Sequence, residues 1–140
     1  MDKREERLML DSAQRGQLRP GQPRRRVLEC GWLRVDLDGY EVTVEGQPVR
    51  VFLREFEILS FFLRHPNRVF RREELIAAIW GDDAAVEQRT IDVHIRRLRQ
   101  HLGGARGAGA AIVTVRGVGY KLDPRRCGGK ERSPLARMGN

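Results

Sequence analysis

The chain has 140 residues, of which 27 are Lys or Arg and 19 are Asp or Glu, and its formal net charge is +8. This length fits one domain with tails and is too short for a TIM barrel or a complete dinucleotide-binding oxidoreductase. No stretch approaches the ~18 consecutive apolar residues of a membrane span, and the N-terminus lacks the apolar segment of a secretory signal. Cys30 and Cys127 stand in unrelated contexts, so we expect neither a disulfide framework nor a metal site, and we expect a reducing cytoplasm.

The positive charge lies at the two ends of the chain. Residues 1–26 and 124–140 each carry a net charge of +4, whereas residues 27–123 contain 14 basic and 14 acidic residues. Within that neutral stretch, residues 27–88 sum to −5 and residues 89–123 sum to +5. The sequence therefore predicts a domain over 27–123 with one basic end, which favours an anionic partner. A linker-like tail at 1–26 and a disordered basic tail at 124–140 are expected to flank it.

Short strands are predicted in the first part of this domain. Apolar residues alternate at positions 33, 35 and 37, then at 42 and 44, then at 49 and 51. Turn signals lie between these runs, at Asp38-Gly39 and at residues 45–48. This pattern indicates an antiparallel meander of three or four strands.

A helical period follows the strands. The spacing predicts helices at about 54–64, 72–80 and 88–102, with a short strand at 69–70 and a loop at 81–88. A glycine-rich loop is expected at 103–109, and strands at 112–115 and 120–122 would form a hairpin. The order predicts an α+β fold: a winged helix-turn-helix with an N-terminal antiparallel β-sheet, three helices and a C-terminal β-hairpin wing at 112–122.

The third predicted helix has two opposite faces. At 100° per residue, one line is apolar and contains Ile91, Ile95, Leu98 and Leu102. The opposite face contains Arg89, Val93, Arg96, Arg97 and Gln100. Guanidinium groups bind phosphates and guanine edges, and the major groove of DNA admits a helix. The alternative for this face alone is an ordinary solvated basic surface.

The turn of the predicted hairpin adds a second basic element. Arg116 stands beside Gly117 and Gly119, which permit the backbone conformations of a tight turn. An arginine there can reach a narrow minor groove, and the alternative is an exposed turn residue without a partner.

Three stretches of the chain resemble one protein family. EFEILSFFLRHPNRVFRREELIAAIWG, RTIDVHIRRLRQHLG and IVTVRGVGYKL resemble, in order and spacing, the winged-helix effector domain of OmpR/PhoB-type response regulators. The resemblance covers roughly residues 28–123. It implies a bacterial, cytoplasmic transcription regulator of a two-component phosphorelay that binds double-stranded DNA sequence-specifically. It also implies contact with RNA polymerase and dimer binding on direct repeats.

The resemblance assigns roles to residues at matching positions. It places phosphate contacts on Arg89, Thr90, Arg96 and Arg99, and it places Asp92, Val93, His94 and Arg97 near base edges. On the wing, it assigns DNA contacts to Thr114, Arg116 and Tyr120. Arg72 and Trp80 would brace the DNA backbone. The segment that would meet RNA polymerase is the loop at 81–88, with Asp82, Asp83, Val86 and Glu87. For some of these residues a structural role is an alternative: Trp80 in the core, Tyr120 packed on the wing, Asp92 orienting neighbouring arginines, and His94 packed. The loop has the alternative of a merely solvated acidic segment.

The sequence departs from the family pattern at two places. Phe52-Leu53-Arg54-Glu55 offers Glu55 no capping-box partner, so the first helix is expected to start differently. Residues 1–26 are too few for a receiver domain, so the chain is expected to be either an excised effector domain or a stand-alone regulator. The resemblance requires neither cofactor nor metal.

Other classes of function have less support in the sequence. No nucleophile elbow, P-loop or zinc motif is present, so we do not expect an enzyme. The remaining alternatives are a winged-helix protein-interaction module, in which the arginine face binds an acidic partner, and a non-specific nucleic-acid binder that uses its arginine-rich tails.

Overall fold

The computed structural model describes residues 26–82 and 84–128. Its first part is a four-stranded antiparallel sheet in the order β1-β2-β3-β4. The strands are β1 (Val27–Cys30), β2 (Leu33–Asp36), β3 (Glu41–Val44) and β4 (Gln47–Val49). Leu33 and Val35 are fully buried while Arg34 between them is exposed, because alternate side chains of a strand point to opposite faces. The expected meander is therefore present with four strands.

Three α-helices follow the sheet. They are α1 (Leu53–Arg64), α2 (Arg72–Ile79) and α3 (Gln88–His101), each within about two residues of its expected bounds. Their apolar faces meet in one core that contains Leu59, Phe62, Leu75 and Ile95. Since this burial fixes how α2 and α3 cross, it sets which side of α3 remains outside.

A second sheet completes the fold and holds the hairpin against the helices. Strands β6 (Ile112–Val115) and β7 (Gly119–Leu122) pair antiparallel, and β5 (Phe70–Arg71) pairs with β7 to give the order β5-β7-β6. Gly119 lies opposite Arg71, and a Cβ at position 119 would overlap the carbonyl oxygen of Phe70. A glycine is thus needed where β5 meets the wing. The architecture is the α+β winged helix that the sequence predicts.

The first helix begins at Leu53 with one-sided capping. Phe52 has no side-chain acceptor, as expected, but the Glu55 carboxylate accepts a hydrogen bond from the Phe52 backbone N–H over 3.1 Å. The same oxygen lies 2.7 Å from Nδ1 of His101, at the end of α3. Glu55 is fully buried, so this contact joins the start of α1 to the end of α3 inside the protein.

The expectation that the two cysteines are unrelated is wrong. Cys30 on β1 and Cys127 form a disulfide, with their Cα atoms 5.6 Å apart across a sequence separation of 97 residues. Sequence spacing did not reveal the pair because β1 and the chain beyond β7 meet only in the folded domain.

The C-terminal tail begins later than the sequence indicates. Residues 124–128 are ordered, and Pro124–Arg126 form a 3-10 turn whose preceding residue, Asp123, accepts a hydrogen bond from the Arg125 backbone N–H. Proline at the first position of a turn and an aspartate before it favour this conformation. The glycine-rich loop expected at 103–109 also contains local order, since 3-10 helices span Gly104–Arg106 and Ala108–Ala111. The expected tails at 1–25 and 129–140 lie outside the described residues.

Within residues 26–82 and 84–128, no helix is long and apolar enough to cross a membrane. The same residues contain no cluster of three or more His, Cys, Asp or Glu side chains that could hold a metal ion.

Candidate nucleic-acid interface

Helix α3 presents a buried stripe and an open, basic face. Ile91, Ile95 and Leu98 are fully buried. On the opposite side, Val93, Arg96, Arg97 and Gln100 are exposed and together line a shallow depression. Their spacing of three and four residues places them on one face of the helix. In the described part of the chain, no hydrogen bond or ion pair engages the guanidinium groups of Arg96 and Arg97.

Asp92 is the centre of a network that joins three elements. Its Oδ1 atom accepts a hydrogen bond from Arg72 Nε on α2 over 2.7 Å and from the Tyr120 hydroxyl on β7 over 2.5 Å. Burial and the hydrogen bond to Asp92 raise the pKa of Tyr120 above its ordinary value of about 10. The hydrogen bond that Arg72 itself donates to Asp92 raises the pKa of Arg72 above its ordinary value. Asp92 therefore links α2, α3 and the wing through its contacts with Arg72 and Tyr120.

Arg99 fixes the other side of α3 to the wing. Its Nε donates to the Ile112 carbonyl oxygen over 3.0 Å, and its Nη2 donates to the Thr114 hydroxyl over 2.7 Å. Its guanidinium also lies 5.5 Å from the centre of the Tyr120 ring, on which Arg72 stacks at 5.4 Å. Tyr120 is 5% exposed, so its ring packs within the protein and holds two arginines near the surface.

A second cluster lies near the start of α3. Nδ1 of His94 is 2.8 Å from the Thr90 carbonyl oxygen, and its ring meets the edge of Trp80 at 5.4 Å. Trp80 is partly buried against the core, and the Arg54 guanidinium stacks on it at 5.0 Å. Trp80 and His94 are thus packed against each other at the rim of the basic face, as their alternatives expected.

The wing tip extends away from these contacts. Arg116 is exposed, and Gly117 has a φ of +80°, the left-handed conformation that glycine adopts most easily. The Val118 backbone N–H donates to the Val115 carbonyl oxygen over 2.9 Å and closes the turn. Thr114 is exposed on β6, beside Arg99. The wing therefore carries an exposed guanidinium, that of Arg116, at its turn.

The loop between α2 and α3 is less open than the sequence suggests. Asp82 is exposed, but Val86 packs against the core as a partly buried side chain, and Glu87 pairs with Arg89 over 2.9 Å. Both charged groups of that pair are largely exposed, so the pair contributes little to stability. Asp83 lies outside the described residues.

The structure divides the expected site residues by their contacts. Asp92, Arg99 and Tyr120 are held by contacts with other residues of the domain, whereas Val93, Arg96, Arg97 and Arg116 are exposed. Two contributors were missed in the sequence: Gln100, whose place on the outward face was noted without a role, and Arg54, whose stacking on Trp80 depends on the packing of α1 against α2.

Helix α3 is buried on one side and exposes a basic face on the other, and the hairpin that follows carries an arginine at its tip. This combination defines a winged-helix DNA-binding domain. The family described as "Transcriptional regulatory protein, C terminal" matches residues 46–122, and the chain belongs to this family. RegX3, a sensory transduction protein of Mycolicibacterium smegmatis, is 40% identical over 97 residues, which are 69% of this chain and 42% of that protein. The phosphate regulon transcriptional regulatory protein PhoB of Escherichia coli is 41% identical over 99 residues, which are 71% of this chain and 43% of that protein.

Solved structures agree with this membership. The DNA-binding domain of the response regulator AdeR, in complex with an intercistronic region, superposes with a TM-score of 0.61 at 32% identity, covering 69% of this chain and 97% of that domain. The DNA-binding domain of Klebsiella pneumoniae RstA, in complex with an RstA box, gives a TM-score of 0.62 at 28% identity, covering 71% and 98%. The chain spans less than half the length of the curated regulators that it matches.

Proposed function

We propose that this chain regulates transcription by binding a specific site in double-stranded DNA, with α3 in the major groove and the wing at the minor groove. The observation that carries this proposal is the open face of Val93, Arg96, Arg97 and Gln100 on a helix whose other side is fully buried. A helix fits the major groove, and a rigidly packed helix holds its outward side chains at fixed spacing. The role is one of binding, without a reaction catalysed by the chain itself.

The contacts divide the work between affinity and selectivity. Arg96 and Arg116 are open cations on the helix and the wing tip, suited to phosphate and to the narrow minor groove, respectively. Arg97 and Val93 occupy the centre of the helix face, where a guanidinium meets a guanine edge and an apolar side chain meets a thymine methyl. Arg89, Thr90 and Thr114 lie at the edges of this surface as candidates for phosphate contacts.

Selection of duplexes from a random pool, followed by titration of the selected and a scrambled duplex, tests the proposal. Arg97→Ala should weaken the selected duplex by roughly 5- to 150-fold and the scrambled one far less, because a bidentate contact to guanine is lost. Arg34→Ala is the matched control, because it removes the same charge from the exposed face of the N-terminal sheet. Among the described residues, Arg34 forms an ion pair with Glu29 alone, at 3.6 Å. This variant should leave the discrimination between duplexes unchanged.

The outcomes separate the alternatives. A chain that binds an acidic protein but no duplex is a protein-interaction module. A chain that binds all duplexes alike, and loses that binding when residues 1–25 and 129–140 are removed, is a non-specific nucleic-acid binder.

Further parts of the function extend the same proposal. The loop between α2 and α3 is acidic, with Asp82, Asp83 and Glu87, and so suits a basic surface of RNA polymerase. Glu87 pairs with Arg89 and Val86 packs against the core, so Asp82 is the most accessible acidic residue among those described in this loop. We further propose binding as a dimer on direct repeats, membership of a two-component pathway and a place in the bacterial cytoplasm, as the resemblance to OmpR/PhoB-type regulators implies. Alanine substitution of Asp82 tests the polymerase contact, since it should lower transcription without changing DNA affinity.

A further inference from the structure

The outward residues of α3 differ in what already holds them. Asp92 and Arg99 bind α2 and the wing, and His94 packs on Trp80. Gln100 and Arg97 both line the shallow depression on the exposed face of α3. Within the described residues, no hydrogen bond engages the side-chain amide of Gln100. The end of the helix that carries Gln100 is nevertheless fixed, because its neighbour His101 contacts the buried Glu55.

We propose that Gln100 is a further specificity-determining residue, which reads an adenine in the major groove next to the guanine that Arg97 contacts. This inference rests on the proposed placement of α3 in that groove. The glutamine amide carries one acceptor and two donors, which match the N6 and N7 edge of adenine. Three residues advance a helix by about 4.5 Å, compared with about 3.4 Å for one base pair, so the two contacted bases lie one or two pairs apart.

Substituting Gln100 while comparing selected sequences tests this reading. The wild-type chain should enrich an adenine one or two pairs from its preferred guanine, and Gln100→Ala should lose that preference by about tenfold. Gln100→Glu keeps the side-chain length but has only acceptors, so the preferred base should change toward cytosine, whose N4 amino group is a donor. Thermal unfolding at an unchanged midpoint establishes that both variants fold.

Three results would overturn the inference or its foundation, and each can be told from the others. If the wild-type chain enriches no motif, the proposed function itself fails. If a motif appears and Gln100→Ala enriches the same motif, Gln100 does not read a base. If Gln100→Ala weakens all duplexes equally, the residue contacts phosphate and the adenine assignment is wrong.

A different observation concerns the end of the chain beyond β7, which is clasped onto the first sheet. Besides the disulfide between Cys30 and Cys127, the Trp32 backbone N–H donates to the Cys127 carbonyl oxygen over 3.3 Å. The two backbones pack closely here, because a Cβ at Gly31 would overlap the carbonyl of Gly128. Both cysteines lie outside residues 46–122, which match the family.

We infer that this cysteine pair is a redox-controlled clasp for residues 124–128. Cys127 is fully buried whereas Cys30 is partly exposed, so exchange with a small thiol begins at Cys30. On opening, a reductant thiolate attacks the Cys30 sulfur, the S–S bond breaks, and Cys127 leaves as a thiolate that takes a proton. A second reductant thiol then releases Cys30, and the two reductant molecules leave joined as their own disulfide. Once the disulfide is reduced, residues 124–128 are held to the first sheet by non-covalent contacts alone.

Limited trypsin digestion after equilibration with reduced or oxidised glutathione tests the clasp. The side chains of Arg125 and Arg126 are 81% and 59% exposed, so cleavage beside them reports opening of the backbone. Cleavage there should be about tenfold faster in the reduced chain, since proteolysis follows the open population. The Cys30→Ser/Cys127→Ser variant should be cleaved at the reduced rate under both conditions. Equal rates for the oxidised and reduced wild-type chain, or two free thiols under oxidising conditions, would overturn the inference.

Discussion

Removing the Tyr120 hydroxyl tests the network that joins the recognition helix α3 to the wing. The hydroxyl donates to Asp92 over 2.5 Å from a side chain that is 5% exposed. Hydrogen bonds to charged groups contribute about 1.5–3 kcal/mol. The Asp92 side chain is 41% exposed and keeps Arg72 as a partner, so the stability lost with the Tyr120 hydroxyl lies toward or below the lower end of this range. We expect Tyr120→Phe to reduce the free energy of unfolding by about 1–2 kcal/mol.

Urea unfolding, followed by circular dichroism, measures this loss, which corresponds to a fall in Tm of roughly 4–12 °C. Tyr40→Phe is the control, because Tyr40 is 54% exposed and stacks on Phe56 through its ring alone; it should change stability by no more than about 0.5 kcal/mol. In an Asp92→Ala background, Tyr120→Phe should cost little more. Equal effects at positions 40 and 120, or a full cost without Asp92, would refute the reasoning.

Three further predictions concern stability. Cys127→Ser should cost about 2–5 kcal/mol in oxidising buffer and far less under reductant, because the disulfide closes a loop across a separation of 97 residues; calorimetry in both buffers measures it, and equal losses would contradict it. Arg125 holds the pKa of Asp123 below its ordinary value, so the ionised carboxylate stabilises the fold above about pH 4 and this contribution is lost as pH falls through the lower folded value. Acid unfolding of Asp123→Asn should therefore depend less steeply on pH, and an unchanged slope would refute this. Gly119→Ala should cost about 1–3 kcal/mol in urea unfolding, because its Cβ meets the Phe70 carbonyl, and a neutral effect would show that β5 yields freely.

Periodicity predicted the elements because burial acts on each of them locally. The apolar line of Ile91, Ile95 and Leu98 needs only the helical repeat to be recognised, and all three are fully buried. The alternation of Leu33 and Val35 marks β2 in the same way. The basic face of α3 follows by elimination, since it must lie opposite the buried line.

Side-chain contacts between different helices and strands could not be predicted from the periodicity of the sequence. Asp92 is separated by 20 residues from Arg72 and by 28 from Tyr120, and only the packing of α2, α3 and β7 brings the three side chains together. The disulfide is the extreme case, because its two cysteines belong to no shared motif. The order around Ala108 and Ala111 was also missed, since small residues and glycines carry a loop signal whether or not they are buried.

Methylation interference at guanine N7 tests the central claim most directly, because that atom lies in the major groove, where Arg97 is proposed to bind. The selected duplex, methylated at its preferred guanine, should bind the wild-type chain about tenfold or more weakly than the unmodified duplex. Arg97→Ala should bind both duplexes alike, while Arg34→Ala should behave as the wild type. If methylation weakens binding of Arg97→Ala as strongly as that of the wild-type chain, α3 does not read DNA through Arg97.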